Sequence, residues 1–405
     1  FIQREIFALK QAGLAVEVIA DAPDDFEVLD PEVEALFQET HYLFPVRKIE
    51  LLKYFVSFFL KEPFSVVGIF LYVRSQIYTN QKSFKEDILI FAKALYLAGV
   101  LKGKRFNHAH APWSDVNAFV LLLAARLAKL PYSIQVRAHD VHRKSSSFAL
   151  AEKLGNARFI VSNCRYNEAH LKSFLNQQTG RKIYTIYNGL NLERFVPRER
   201  NGELANPIRI LAVGRLIEQK GLVYLLRACK TLLANGLAIR CEIIGGPEEP
   251  LYGKYHHQLK ELLAQLGLKE RVFFAGALPF SKVLEAYRNA DIFVLPCVLA
   301  KDGSRDITPN SVLEAMAMKL PVISTPITGI PEIVDDGING ILVPPGDEHA
   351  LAAAIMQRAA DPELRKKLGE NARKKIAARF DSAKNIKQYI DLFNGDYSIT
   401  PEKLS

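Results

Sequence analysis

At 405 residues the chain is longer than one ordinary domain, and two or three are expected. With 49% hydrophobic and 24% charged residues it has the composition of a folded protein with large cores, which excludes a disordered chain. The net charge of +9 is unevenly spread: residues 1–40 hold 2 Lys/Arg against 10 Asp/Glu, and residues 41–182 hold 22 against 8.

The chain opens on a helical pattern, Gln3–Ala12, stopped by Gly13 and followed by a strand at Ala15–Ala20. An open α/β half ordinarily begins with a strand and a glycine-bearing loop, so with Phe1 already at a helix start the first strand is expected to be missing. Charge is mixed into Phe1–Ala20, unlike the basic-then-apolar order of a signal peptide. The most apolar windows are Leu51–Leu60, Pro63–Tyr72 and Val116–Leu130. Each falls short of the roughly 20 residues a bilayer span needs, and all three are read as core helices. The first two lie in the basic region among aromatics such as Phe55, Phe59, Phe64 and Phe70. A surface of that kind either docks on anionic lipid headgroups or is an ordinary solvated face. No nucleic-acid-binding motif accompanies it, so no nucleic-acid partner is expected.

Short apolar runs then alternate with helical-period segments, the mark of parallel α/β architecture. Strands are expected at Phe106–His110, Tyr132–Arg137, Phe159–Ser162 and Ile183–Tyr187, with a helix at Asp115–Ala128. Residues 196–207 turn polar, carry two prolines and read as a linker between a first domain over 1–195 and a second over 208–375. The second series is regular: strands at Ile208–Val213, Ile239–Ile244, Val272–Ala275, Ile292–Leu295, Pro321–Ser324 and Gly340–Val343, each followed or preceded by a helix. Residues 376–405 add a terminal helix expected to pack back on the first domain. Two doubly wound domains of this kind bind ligands in the cleft between them, at the carboxyl ends of their strands. The four cysteines are scattered, with no Cys-x-x-Cys pair, which fits a reducing, cytoplasmic setting better than a disulfide framework.

The strongest chemical signal is D-I-T-P-N-S-V-L-E-A-M-A (Asp306–Ala317), followed by P-V-I-S-T-P, G-I-P-E-I-V and G-I-N-G-I-L-V-P-P-G-D as far as Asp347. Thr308 suits an N-cap and Pro309 a first helical position. The helix from Asn310 would aim free N–H groups and a positive dipole end at an anion beyond the strand Ile292–Leu295. Asp306 stands just ahead of that helix and Glu314 inside it, where apolar neighbours favour a buried or ligand-bound role over a solvated one. A second signal, A-V-G-R-L-I-E-Q-K-G-L (Ala212–Leu222), ends a strand in Gly214 and puts Arg215 and Lys220 where they can neutralise a diphosphate. The glycine turns at Gly245 and Gly276 end the next two strands. They either admit a flat base to close backbone contact or are simply tight turns.

These motifs resemble the retaining glycosyltransferases of family 4, with the two-domain GT-B fold, over nearly the whole chain. Asp306 stands where that family usually has its first Glu, as in similar exopolysaccharide and colanic-acid-type branches. The resemblance implies that Arg215 and Lys220 bind a donor diphosphate, Glu314 the ribose, Asp306 the transferred sugar, and Gly329 with Ile330 the sugar or phosphate. In the first domain the family's strand-end His-Gly-x-Asp is replaced by V-R-A-H-D (Val136–Asp140), so either Arg137 or His139 would take the histidine's role. His110 either lines the acceptor side or is a satisfied loop histidine.

The expected activity is transfer of a hexosyl unit from a nucleoside diphosphate sugar to a hydroxyl of a glycan or lipid-linked acceptor, with retention. Neither metal nor cofactor is expected, because two cations and a helix dipole would balance the leaving diphosphate. The expected location is cytoplasmic, peripheral on an anionic membrane surface. A same-fold epimerase or hydrolase, and an inactive nucleotide-sugar-binding protein, are the rival readings.

Overall fold

The computed structural model describes residues 2–23, 31–45, 47–78, 84–137, 139–142, 149–199, 206–246 and 253–397. By its internal contacts the chain divides into two units. The first comprises residues 1–163, 167–186 and 388–403; the second comprises residues 164–166, 187–387 and 404–405. Residues 200–205 of the expected linker and 398–405 of the expected terminal segment lie outside the described residues.

The first unit begins with α1 (Ile2–Gln11), β1 (Ile19–Ala20), α2 (Pro31–Glu39) and β2 (His41–Tyr42), the two short strands pairing in parallel. Three helices follow, α3 (Lys48–Lys61), α4 (Pro63–Tyr78) and α5 (Phe84–Lys104). Next come β3 (Ala109–Ala111), α6 (Val116–Ala128), β4 (Tyr132–Val136), α7 (His139–His142), α8 (Leu150–Asn156), β5 (Ile160–Ser162), α9 (Arg165–Phe174), α10 (Gln177–Gly180) and β6 (Ile183–Thr185). Strands β3-β4-β5-β6 form a parallel sheet in chain order. Its central strand β4 is buried along its whole length, as a strand covered on both faces should be. The strand expected at Phe106–His110 is found instead at Ala109–Ala111, and that expected at Ala15–Ala20 is confined to its last two residues.

Helix α6 is the core of this unit. The Asp115 carboxylate caps it by accepting the N–H groups of Asn117 (2.9 Å) and Ala118 (3.4 Å), and nine of its thirteen residues are buried. The window Val116–Leu130 is thus a core helix. The other two windows are not. In α3 only Phe58 is buried, and along α3 and α4 a row of apolar side chains faces outward. Their composition matches that of core helices, but only one stripe of each is covered, by α5 and α6. No single described helix is long and apolar enough to cross a membrane.

The second unit runs β7 (Ile208–Val213), α11 (Leu222–Ala234), β8 (Ile239–Ile244), α12 (Gly253–Gln265), β9 (Val272–Gly276), α13 (Phe280–Asn289), β10 (Ile292–Val294), α14 (Asn310–Ala317), β11 (Val322–Ser324), α15 (Ile330–Ile333) and β12 (Ile341–Leu342). It closes with α16 (Glu348–Ala360), α17 (Pro362–Arg379) and α18 (Ser382–Phe393), the last running into the residues assigned to the first unit. All six strands are parallel, in the order β12-β11-β10-β7-β8-β9. Side-chain alternation splits the core into two layers. Ile208, Ile210, Ala212, Ile292 and Val294 join α11 and α16 on one face, while Leu211 and Phe293 join α13, α14 and α17 on the other. This order reverses between β7 and β10. Ligands of doubly wound sheets bind at that switch point, outside the carboxyl ends of the strands.

Candidate functional site

Two loops leave the switch point. The loop after β7 carries Gly214, Arg215 and a 3₁₀ turn, Glu218–Lys220, that ends at Gly221. The loop after β10 carries Leu295 to Pro309 and leads into α14. The Val298 N–H donates to the Gln219 carbonyl at 3.0 Å, which ties the two loops together. At their junction the Lys220 ammonium and the Asp306 carboxylate form an ion pair. Lys220 is buried, which penalises its charge, but the Asp306 carboxylate outweighs that penalty and holds its pKa above the ordinary value. The like charge of Arg215 works against it, so the two cations share one neighbourhood. Arg215 itself is exposed. The Cys297 thiol lies 3.9 Å from Asp306 Oδ2, and burial, reinforced by that carboxylate, pushes its pKa up.

Gly221 holds the Lys220 turn by necessity. Its φ is +66°, and a Cβ there would sit 1.8 Å from the Pro296 carbonyl oxygen. At Gly245 (φ +150°) a Cβ would meet the Gly214 carbonyl at 1.9 Å. Close approach of two strand ends therefore accounts for that glycine without a ligand. Gly276, at φ +74°, has nothing within 4 Å of its would-be Cβ and faces open space. The Gly245 N–H donates to the Gly276 carbonyl at 2.8 Å, and the Gly214 N–H to the Ile244 carbonyl at 2.9 Å, so these turns form one continuous edge.

Helix α14 starts one residue later than the expected capping by Thr308. Pro309 (φ −62°, ψ 116°) is the N-cap, and its carbonyl accepts the Val312 N–H at 3.1 Å. An extended ψ at Pro309 delays the first helical residue to Asn310, so Thr308 precedes the cap. Pro309 itself has no side-chain acceptor with which to cap the helix. Asn310 Oδ1 accepts from Asn188 Nδ2 at 3.3 Å. Inside the helix Glu314 is buried, and the Tyr287 hydroxyl donates to its Oε2 at 3.1 Å.

The loop after β11 closes the arrangement. Thr328 has a φ of +53°, and its hydroxyl donates to the Asp306 carbonyl at 2.5 Å. The Gly329 N–H donates to the Ile307 carbonyl at 3.1 Å, and Ile330 is fully buried behind it. Gly214, Arg215, Lys220, Asp306, Asn310, Gly329 and Ile330 are thus assembled within one unit at the carboxyl edge of one sheet.

Several residues here carry roles that the sequence reading did not assign. Glu332, the acid of the Gly-Ile-Pro-Glu motif, accepts the backbone N–H groups of Arg165 and Tyr166, both at 2.8 Å, and the Tyr187 hydroxyl at 2.7 Å. Burial, with Glu332 reinforcing it, raises the Tyr187 pKa. The motif exposed Glu332 to view, but its partners lie far away in sequence. For Cys297 and Thr328 no motif was available.

The first-unit candidates are engaged differently. The Arg137 guanidinium is buried: its Nε donates to the Pro112 carbonyl at 3.0 Å, and its Nη2 reaches Glu5 at 2.5 Å and Gln135 at 2.6 Å. Asp140 accepts the N–H groups of Ser114 (3.0 Å) and Arg137 (3.2 Å), pinning the turn that leads into α7. The backbone of His139 begins α7; its side chain lies outside the described residues, as does Ala138. His110 Nδ1 and His108 Nε2 share the Ser133 hydroxyl at 2.7 and 2.8 Å, and the Phe393 ring packs on both histidines. Burial, together with the charge of Arg158, pushes His108 down to about 4; burial, with His108 and Arg137, pushes His110 down to about 3.

Residues 194–375 match the family model described as Glycosyl transferases group 1. WcaL of Salmonella typhimurium, a glycosyltransferase named for colanic acid biosynthesis, is 34% identical over 49% of this chain and 48% of its own. The amylovoran biosynthesis glycosyltransferase AmsK of Erwinia amylovora is 38% identical over 44% of this chain and 42% of its own. The chain thus spans less than half the length of these relatives. Among solved structures, a glycosyltransferase from Rickettsia africae covers 98% of this chain and 96% of its own at a TM-score of 0.72 and 19% identity. Anabaena HepE, solved with UDP-glucose, covers 74% of this chain and 82% of its own at a TM-score of 0.63 and 20% identity. The chain has the GT-B fold, carries a glycosyl transferases group 1 domain over residues 194–375, and resembles the colanic-acid-type glycosyltransferases.

Proposed function

We propose that the chain transfers a hexosyl unit from a nucleoside diphosphate sugar to a glycan or lipid-linked hydroxyl in the synthesis of an exopolysaccharide, with retention at the anomeric carbon. The observation that carries this reading is the Lys220–Asp306 ion pair at the sheet's switch point, beside Arg215 and the start of α14. It is supported by the relatives named for exopolysaccharide synthesis and by the fold shared with a structure that holds UDP-glucose.

A departing diphosphate builds negative charge on its oxygens. Lys220, Arg215 and the first-turn amides of α14 would take up that charge, electrostatic stabilisation that is worth most away from water. Lys220 would turn from Asp306 toward the phosphate, which frees the Asp306 carboxylate for hydroxyls of the transferred sugar. Glu314 would reach the ribose, and Gly329 with Ile330 would flank the sugar. Gly276, open and next to Gly245, would receive the base. On the first unit, Arg137 or His139 would take the role of the family histidine that meets the donor sugar, and His110 is the acceptor-side candidate; the bonds made by Arg137 favour positioning over direct contact. The proposed chemistry uses no metal, since two cations and a helix end supply the positive charge. Four buried cysteines that form no disulfide support a cytoplasmic setting.

Incubating nucleotide sugars with and without a glycan acceptor tests the reading. Acceptor-dependent sugar transfer that persists in a chelator is expected. Sugar release or isomerisation without acceptor would favour a hydrolase or epimerase, and binding without turnover an inactive binding protein.

A further inference from the structure

We propose that α3 and α4 form a docking hairpin that lies on an anionic bilayer surface, with the bend at Glu62–Pro63 as its leading tip. The two helices are together as apolar as a membrane span, but they turn by 116° at that bend. At about 1.5 Å per residue α3 is roughly 21 Å long, short of the ~30 Å hydrocarbon core, so it can lie in the interface rather than cross it.

Each helix buries one stripe in the first unit and leaves the other uncovered. Phe58, Val66, Ile69 and Val73 are inside. Ile49, Leu52, Val56 and Leu60 stand out from α3 at helical spacing, and Phe64, Val67 and Leu71 continue the stripe on α4. Exposure is greatest at the bend, where Leu60 is 76% and Phe64 91% accessible. Half of the large exposed hydrophobics among the described residues lie on these two helices, which a chance scatter over the surface would not give.

Charge decides the occupant. The acids Glu50, Glu62 and Asp87 are each paired with a cation of the same unit, Arg47, Lys129 and Arg74. Lys48, Lys53 and Lys61 project from α3 with no ion-pair partner among the described residues. Near the tip Lys102 lies over the Phe58 ring at 5.3 Å, and Lys129 reaches Glu62 at 2.7 Å. An apolar ridge rimmed by surplus lysines matches a surface that is greasy below and negative at headgroup level.

The proposal goes beyond the donor-site reading and does not rest on it. The test is flotation of the full chain with phosphatidylcholine vesicles, alone and containing phosphatidylglycerol. Flotation with the anionic vesicles only is expected. The Leu60→Ser/Phe64→Ser variant should lower it at least ten-fold, and Lys53→Gln and Lys61→Gln about five-fold each. Ile338→Ser, an exposed apolar change in the other unit, should leave it unaltered. All these positions are exposed, so the unfolding midpoint and any nucleotide-sugar stabilisation should be unchanged. Failure to float, equal flotation of the variants, or equal flotation on neutral vesicles would overturn the proposal. So would a dimer in free solution that the Leu60→Ser/Phe64→Ser change makes monomeric, because the ridge would then be covered by a second copy.

Discussion

Lys220 and Asp306 neutralise each other in a place suited to an incoming anion. Lys220→Ala removes a cation at the point where charge develops, and kcat/KM should fall about a hundredfold or more. The fold should survive, since the Asp306 carboxylate left behind keeps access to water; steady-state kinetics with a parallel unfolding curve check both. The sequence offered both residues as candidate donor contacts. Their pairing was not legible, because it depends on β7 lying beside β10, a matter of strand order that no local spacing encodes. The histidines carry a second residue-scale prediction. His108 and His110 hold folded pKa values near 4 and 3, below the ordinary 6.5. Below about pH 6.5 the unfolded chain therefore binds protons that the folded chain does not. Stability should fall as the pH drops from about 6.5 toward 4, and a His108→Gln/His110→Gln variant should show a flatter curve in denaturant titrations.

Among the elements, the glycine-bearing strand ends separate what the fold needs from what a ligand would need. Gly221→Ala would put a methyl group into the Pro296 carbonyl at a left-handed backbone position and should cost more than about 2 kcal/mol. Gly276→Ala meets no neighbour and should cost only about 1–2 kcal/mol from its left-handed backbone. If the donor's base packs there, the same change should weaken nucleotide-sugar binding out of proportion to that cost, as calorimetric titration would show. Helix starts were legible to within a residue or two where a cap was present, as at Asp115. At Pro309 the proline itself took the cap, and Thr308 was displaced by one position. The α3 and α4 windows misled for a different reason. Apolar content says that a helix wants cover, and only packing says which stripe receives it.

For the molecule as a whole, the alternation of strand and helix in the second unit sufficed to read its elements nearly to their ends, because its central strands β7, β10 and β11 are largely buried on both faces and stand out as apolar runs. The first unit was harder, since its outer strands shrink to two or three residues while long helices carry its core. The central claim is that the second unit holds a nucleoside diphosphate sugar at the β7–β10 switch point. Thermal unfolding of the wild type and of Lys220→Ala and Glu314→Ala against a panel of UDP-, GDP- and ADP-sugars tests it most directly. At least one sugar nucleotide should stabilise the wild type, by about 2.7 kcal/mol at a hundred times its Kd, and stabilise both variants far less. Absence of stabilisation by any of them, or equal stabilisation of the variants, would contradict the claim.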